Sequence, residues 1–571
     1  MSLLNKWNRN IAHIVSAKGE ALVVGRTRLK IVRSVCLVLM ALVVIRLFDL
    51  SVIQKPHEPE HEYSMTGGEK IMERADIVDR NGVLLATTLQ VASLYADPSL
   101  VENKAFIARK LEEILKINNV QEKLDKKGRF VWIKRGITPD EHYKINALGS
   151  PGLGFRAETR RFYPQGENAA HLIGYTSVDG NGLAGMELEY NDRLQKGGDP
   201  LTLSMDIRVQ HALTKSLRDK MQKFQAKGAT GGVVDIETGE VLAAVSLPDF
   251  DPHHAGKADA DARFNRFALG VYEMGSTFKL FSTANYIEAT KHPFSTTFDA
   301  RKPLKEGRFT INDYHAEKRI LTLPEVFVHS SNIGSALMAQ TIGTDSMKAF
   351  YKDLGLLDKV DVDFPATGAP LYPQPWRNLN TLTAAYGHGI AVSPLHVLQA
   401  TAAITNGGKF VKLSFIKPKN QKDIIQSRVV SAATAHKMRQ LLRLNVTNGS
   451  GTQANVAGYE VGGKTGTSEK VSARGGYDKN RLLSSFIGVF PANAPRYAVL
   501  AILDEPHGTK DTYGYATGGW TAAPVVGSVI TDITRIFGIA PELRDSNLTA
   551  GLERYIDAEE STGYSPASYT Q

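Results

Sequence analysis

Apolar and polar positions follow three different rhythms along this chain, and the changes of rhythm divide it. An unbroken apolar run from Ser34 to Ile45 follows a basic N-terminus. As a helix it would rise only about 18 Å, against a bilayer core of about 30 Å. Extended to Ile31–Ile53, it suffices for one membrane-spanning helix, with Arg46 and Asp49 three apart and able to pair. Lys55–Met72 is polar and patternless, and reads as a linker. Short strand-like runs follow. Asn81-Gly82 lies between β-like segments, a hairpin signal. Gly232–Ile236 and Val241–Val245 flank the turn Glu237–Glu240 and predict a second hairpin.

Helical spacing then takes over. Leu280-Phe281, Ala284 and Ile287 place apolar side chains on one face. Leu323–Val328 predicts a helix with Pro324 in its first turn and Thr322 as cap. Strands return as Phe486–Phe490 and Tyr497–Leu503, and a helix over Val526–Phe537 closes the pattern. The order predicts an α+β fold with helices against an antiparallel sheet. The expected divisions are a basic tail (1–30), an anchor (31–53), a linker (54–72), a smaller domain (73–200), a larger one (201–541) and a polar, acidic, poorly ordered tail (542–571).

Length and charge sharpen this reading. The 571 residues are 42% hydrophobic, enough for two or three domains. The net charge of +9 is concentrated at Lys6, Arg9, Lys18, Arg26, Arg28, Lys30 and Arg33. Beside a span, such a cluster sets orientation rather than binding nucleic acid, keeping the N-terminus in the cytoplasm and everything after residue 54 beyond the membrane. Arg46-Leu47-Phe48-Asp49 follows the run in place of a small-residue cleavage site, so an uncleaved anchor is expected. The single Cys36 excludes a disulfide framework.

The candidate chemistry lies in three strings. Ser276-Thr277-Phe278-Lys279 opens the helical segment just described. Residues three apart share a helix face, so Lys279 can reach the Ser276 hydroxyl, while Gly275 permits a sharp turn into the helix. A serine needs a base, and a lysine serves if burial or a neighbouring cation such as Lys464 keeps it neutral. Ser330-Ser331-Asn332 sits at a junction between helices. Ser330 is a candidate proton shuttle, and Asn332 a donor and acceptor for a peptide amide or for Lys279. The plainer alternative is that Ser331 and Asn332 only cap the second helix. Lys464-Thr465-Gly466-Thr467 follows two glycines that suit close backbone approach, on what reads as an edge strand able to take an extended peptide. There Lys464, Thr465 and Thr467 would hold a carboxylate.

Three further strings resemble sites without the surroundings a site needs. Ser414–Lys417 repeats S-x-x-K but runs into Pro418, so no helix follows. Gly180–Gly185 spells G-x-G-x-x-G without a buried strand before it. His57–Glu62 has metal-binding residue types but is broken by Pro59. No metal site or cofactor is expected.

Ordered S-x-x-K, S-x-N and K-T-G resemble the penicillin-binding proteins and serine β-lactamases. Tyr272–Lys279, Asn265-Arg266, His329–Gly334 and Ala385–Gly389 narrow the resemblance to class B penicillin-binding proteins, with Met274 where proline is usual. Arg74–Gly82 and Glu158–Gly174 resemble the N-terminal pedestal (dimerisation) domain of that class, and the G-x-G-x-x-G string falls within it. Arg74, Asp79, Glu158 and Arg161 are expected to form an ion-pair network there. Lys464–Lys470, Gly475–Tyr477, Asp504–Pro506 and Tyr513–Gly519 resemble the division subtype.

The resemblance implies a septal peptidoglycan D,D-transpeptidase. Ser276 would be the nucleophile, Lys279 the base, Ser330 the shuttle, and Lys464, Thr465, Gly466 and Thr467 the carboxylate site. The Ser276 and Thr467 amides would form the oxyanion hole. Its substrates would be stem peptides, β-lactams would acylate it, and a septal glycosyltransferase with other divisome proteins would be its partners. An elongation-type transpeptidase, a β-lactam sensor and a scaffold are the alternatives; a β-lactam hydrolase would need a deacylating base that no motif supplies.

Overall fold

The computed structural model describes residues 33–44, 73–418, 426–472, 475–542 and 547–556. Residues 33–44 are helical and belong to a separate unit, Met1–Ile71. No helix among the described residues is long and apolar enough to cross a membrane. The expected anchor at 31–53 extends past the described helix on both sides. The basic tail, Arg46, Asp49, the linker and the His57–Glu62 string lie outside the described residues.

The second unit opens with a small mixed sheet. Its strands are β1 (Ile77–Val78), β2 (Leu84–Ala96), β3 (Val131–Ile137), β4 (Leu153–Phe162) and β5 (Leu201–Thr202). They run β3-β2-β1-β5, and β4 also pairs with β2. The predicted Asn81-Gly82 turn joins β1 and β2, with Gly82 at φ +85°. Asp79 closes it by accepting from the amides of Asn81 and Val83 (2.7 and 2.8 Å). Helices α1 (Lys104–Leu115), α2 (Val120–Leu124) and α3 (Pro139–Asn146) cover one face, packing Leu111, Leu115 and Val120 on Leu94 and Ile133.

The expected ion-pair network is centred elsewhere. Glu187 is fully buried and accepts from Arg74 Nε (2.7 Å) and Arg161 Nε (2.6 Å). Glu158 pairs instead with Arg135 at the surface, and Asp79 serves the turn. The G-x-G-x-x-G string supplies this network: the Gly180 carbonyl accepts from Arg74, and Gly185 packs against the backbone of Leu172 to Gly174.

The larger sheet comprises β6 (Gly228–Asp235), β7 (Val241–Leu247), β8 (Gly462–Val471), β9 (Tyr477–Phe490) and β10 (Tyr497–Asp504), in the order β8-β9-β10-β6-β7. Every pairing in it is antiparallel. Both faces are covered, which explains the unbroken apolar runs. β10 sends Val499, Ala501 and Leu503 to one core and Ala498, Leu500 and Ile502 to the other. The first core is closed by α4 (Ile207–Lys223) and the C-terminal Ala523–Phe537 helix, the second by α5 (Lys279–Thr290) and α8 (Pro394–Thr405). Between those two run α6 (Leu323–Val328) and α7 (Asn332–Ile342); α9 (Ala432–Asn448) leads to β8.

Part of the polar tail, residues 547–556, departs from expectation. Asn547–Ile556 is docked, with Leu548, Leu552 and Ile556 buried. Their fourfold spacing gives a short segment one apolar face despite its polar composition.

Candidate active site

Three elements carry the three strings to one point. Gly275–Phe278 is a single 3-10 turn leading into α5. Gly275 has φ +51°, and a Cβ there would stand 2.4 Å from the Thr467 carbonyl oxygen. Glycine therefore lets the serine turn lie directly on β8. Gly466 closes the same contact from the strand side: a Cβ would stand 2.3 Å from Ser485 Oγ and 2.4 Å from both Met274 O and Thr277 Oγ1. Gly387, at φ +81°, lies against Gly275 and fixes the turn from a third direction.

Helix α6 begins with the predicted capping box, in which Thr322 accepts from Glu325 N and Glu325 from Thr322 N. It delivers Ser330 at φ +58°, a conformation costly for serine. The result is that both the carbonyl and the hydroxyl of Ser330 face Lys279. Ser331 is the N-cap of α7, accepting from Gly334 N (2.9 Å), so the capping alternative holds for Ser331. It fails for Asn332, whose Oδ1 turns to Lys279.

Lys279 is fully buried. Its Nζ lies 3.0 Å from Ser276 Oγ, 2.7 Å from Asn332 Oδ1 and 3.1 Å from Ser330 Oγ, and it donates to the Ser330 carbonyl. Asn332 Oδ1 and the carbonyl can only accept. They consume both hydrogens of a neutral amine, leaving the nitrogen lone pair for a hydroxyl. Burial lowers the Lys279 pKa well below the usual lysine value, the charge of Lys464 lowers it further, and Asp313 opposes the shift. The neutral amine that this hydrogen-bond pattern suits is thus the form the environment favours.

Lys464 is also fully buried, and its pKa is lowered to about 7 by desolvation. Its Nζ donates to Ser330 Oγ (2.9 Å) and lies over the Phe327 ring. β8 is an edge strand, as expected. Thr465 Oγ1 shares a hydrogen bond with Ser450 Oγ (2.6 Å). Thr467 Oγ1 accepts from Gly518 N (3.1 Å), which leaves its proton free to donate. Gly466 contributes close packing against the serine turn rather than a side-chain group for the carboxylate.

Sequence reasoning missed the supports. Asp313 accepts from Ser331 Oγ and Ile333 N (2.8 and 2.9 Å), fixing the start of α7. Asn445 Nδ2 donates to the Gly463 carbonyl (2.8 Å), bracing the strand before Lys464. His388 stacks on Tyr477 with centroids 5.3 Å apart, and the Tyr477 hydroxyl donates to Glu273 (3.1 Å). Burial lowers His388 to about 4, so it is neutral at ordinary pH. Beyond them a cavity of about 510 Å³ runs between Val271–Glu273 and Ser468–Val471. Asp313 and Asn445 stand in no local pattern that would have marked them, whereas Glu273, His388 and Tyr477 lie in the strings Tyr272–Lys279, Ala385–Gly389 and Gly475–Tyr477, which marked the stretches but not these contacts.

The S-x-x-K double at Ser414 is dispersed. Ser414 Oγ donates to Asp363 (2.9 Å), while Lys417 reaches back to the Arg80 carbonyl (3.0 Å).

A hydroxyl beside a buried lysine, a second hydroxyl between two lysines, and a strand edge meet at one point, an arrangement chemically able to support acyl transfer through a serine with a lysine rather than a histidine beside it. Comparison with known proteins agrees. The penicillin binding protein transpeptidase domain matches residues 229–531, and the penicillin-binding protein dimerisation domain matches residues 70–199. The probable peptidoglycan D,D-transpeptidase FtsI of Caulobacter vibrioides is 42% identical over 485 residues, covering 82% of each chain. The peptidoglycan D,D-transpeptidase FtsI of Escherichia coli is 28% identical over 530 residues, 86% of this chain and 88% of its own. The crystal structure of a peptidoglycan synthetase from Bifidobacterium adolescentis superposes with a TM-score of 0.66 at 20% identity, covering 84% of this chain and 98% of its own, and so shares the fold. The chain belongs to the penicillin-binding-protein transpeptidase family, of the class that carries a dimerisation domain before the catalytic one.

Proposed function

We propose that this chain is a septal peptidoglycan D,D-transpeptidase working through an acyl-serine. The observation that carries the mechanism is the set of four oxygens around Lys279 Nζ. Neutral Lys279 takes the Ser276 proton, and Ser276 Oγ attacks the carbonyl carbon of a terminal D-Ala–D-Ala bond. The oxyanion is held by the Ser276 and Thr467 backbone amides, each a donor of the kind worth about 10²–10³ in rate. Lys464, Thr465 and Thr467 hold the terminal carboxylate. The carbon–nitrogen bond breaks, and Ser330 passes its proton to the departing D-alanine amine while regaining one from the protonated Lys279. An amine of a neighbouring stem peptide then attacks the acyl carbon, forms the new amide and returns the proton to Ser276. β-Lactams present the same carboxylate and a strained amide, and remain as acyl-enzymes.

The septal role rests on the relatives named FtsI and on the division-type strings around Lys464 and Tyr513. With the anchor read at 31–53, the catalytic domain lies on the periplasmic face of the inner membrane, beside a glycosyltransferase and other divisome proteins. Ser276→Ala abolishes labelling by a fluorescent penicillin, and the adduct on the unaltered chain maps to Ser276. Adduct at any other residue overturns the assignment. A tagged copy gathers at midcell during constriction; distribution along the side wall would assign the elongation role instead.

A further inference from the structure

The docked tail meets the catalytic domain at the junction between two of the three motifs. Leu552 and Ile556 pack with Val328, the last residue of α6, and Leu444 of α9. Val328 stands two residues before Ser330. Leu444 precedes Asn445, which braces Gly463 and through it the strand of Lys464. The same two helices are held by polar bonds from the tail. Thr322 Oγ1, at the cap of α6, donates to the Tyr555 carbonyl (2.8 Å), and Gln440 Nε2 of α9 donates to the Leu548 carbonyl (2.9 Å).

We propose that Asn547–Ile556 is a clasp that positions Ser330 between Lys279 and Lys464, with Leu552 and Ile556 as its positioning residues. The proposal rests on the acyl-serine reading above. Ser330 sits in a left-handed conformation that nothing local to serine favours, so the surrounding structure has to over-determine it. α6 has only six residues and too few internal hydrogen bonds to hold its own end. The tail supplies what the helix lacks: an apolar cover on Val328 at one end and a hydrogen bond to the cap residue at the other. Both lysines place a nitrogen about 3 Å from Ser330 Oγ. Loosening α6 against α9 changes those distances without touching Ser276. The consequence falls first on proton relay to the leaving nitrogen, because the tail covers α6 two residues from Ser330 and reaches Lys464 only indirectly, through α9 and Asn445.

The test uses the full chain and three variants: the double substitution Leu552→Asp/Ile556→Asp, truncation after Glu542, and the conservative pair Leu552→Met/Ile556→Val. Stopped-flow reaction with a fluorescent penicillin separates its dissociation constant from the acylation rate constant, normalised to the folded fraction by circular dichroism. A displacement near 1 Å at a reacting group costs about 10²-fold in rate. The undocked double variant and the truncated chain therefore acylate about 10²-fold more slowly, with binding altered much less, and the conservative pair acylates at the original rate. Added peptide 543–571 restores the truncated chain. Equal acylation rates in all folded variants overturn the clasp and leave the tail as packing alone. Loss of native structure in both undocked forms also overturns it, since the segment would then be core. An unaltered chain that takes no label at Ser276 overturns the acyl-serine reading instead.

Discussion

Lys464 Nζ donates to Ser330 Oγ across 2.9 Å, and Lys279 Nζ lies 3.1 Å from the same oxygen, so one hydroxyl couples two buried lysines. Two ammonium groups this close in a dry site repel, and one of them must give up its proton. Lys279 carries the heavier burden, being lowered by burial and by Lys464 together. The proposed roles of base and carboxylate anchor fit these environments: the amine that faces Ser276 is driven towards its neutral form, and the amine that faces the strand edge is charged below about pH 7.

A two-sided pH profile follows. The second-order acylation constant rises as Lys279 deprotonates and falls as free Lys464 loses its charge near 7. Lys464→Met removes the cation that helps depress Lys279. The Lys279 pKa then rises, the acid limb moves to higher pH, and the alkaline limb disappears. Rates of penicillin acylation from about pH 5 to 9 measure both limbs. An acid limb that stays in place would show that burial alone sets the base.

The same substitution stabilises the fold. Lys464 falls from the ordinary 10.5 to about 7, so the unfolded chain binds the proton more tightly than the folded one. The folded state is penalised at and below pH 7, and the penalty shrinks as pH rises towards 10.5. Lys464→Met removes a cost on the order of a few kcal/mol near neutrality, partly offset by the lost bond to Ser330. Thermal melting of the variant occurs above that of the parent at pH 7, and the gap closes in alkaline buffer. A variant that melts lower at pH 7 would mean that the hydrogen bond outweighs the buried charge.

Asn332→Asp tests the lone-pair argument. A carboxylate in place of Oδ1 would sit 2.7 Å from Lys279 Nζ and hold it as an ammonium. The base then carries its proton at neutral pH, and acylation falls by about 10²–10⁴, the usual worth of a general base. Raising the pH restores part of the rate. A loss that is constant across pH would instead point to a lost contact between Asn332 and the substrate.

The parts of the site legible in the sequence are those fixed within one turn or one strand. Ser276 and Lys279 meet because they lie three apart on a helix start, and Thr322 caps because Pro324 and Glu325 follow it. The edge position of β8 was legible from paired glycines and from the runs after it. What could not be read depends on where distant segments cross. Asn445 and Asp313 carry no local pattern, and Gly387 is marked only as part of Ala385–Gly389; each acts on a residue between about 18 and 112 positions away through tertiary packing. The fold class was legible for the same reason as the strands, since β10 is apolar on both faces and sits inside the sheet. The pedestal charges were only half legible: the resemblance implied an ion-pair network that includes Arg74 and Arg161, but which acid sits between them is decided by the crossing of three segments.

That acid supplies the last prediction. Glu187 is wholly buried and shared by Arg74 and Arg161, which are 8% and 7% exposed. Glu187→Gln leaves two guanidinium groups with no counter-charge in the same space. Breaking a buried ion pair by removing one partner costs about 3–5 kcal/mol, far more than the pair contributes when intact. The damage falls on the first sheet, because Arg161 lies on β4 and Arg74 leads into β1. Calorimetry then shows the smaller domain melting earlier. Penicillin acylation at temperatures below that transition proceeds at the original rate, because no bond of this network reaches Ser276, Ser330 or Lys464. An acylation defect that accompanies the lowered melting would show instead that the pedestal is coupled to the catalytic centre.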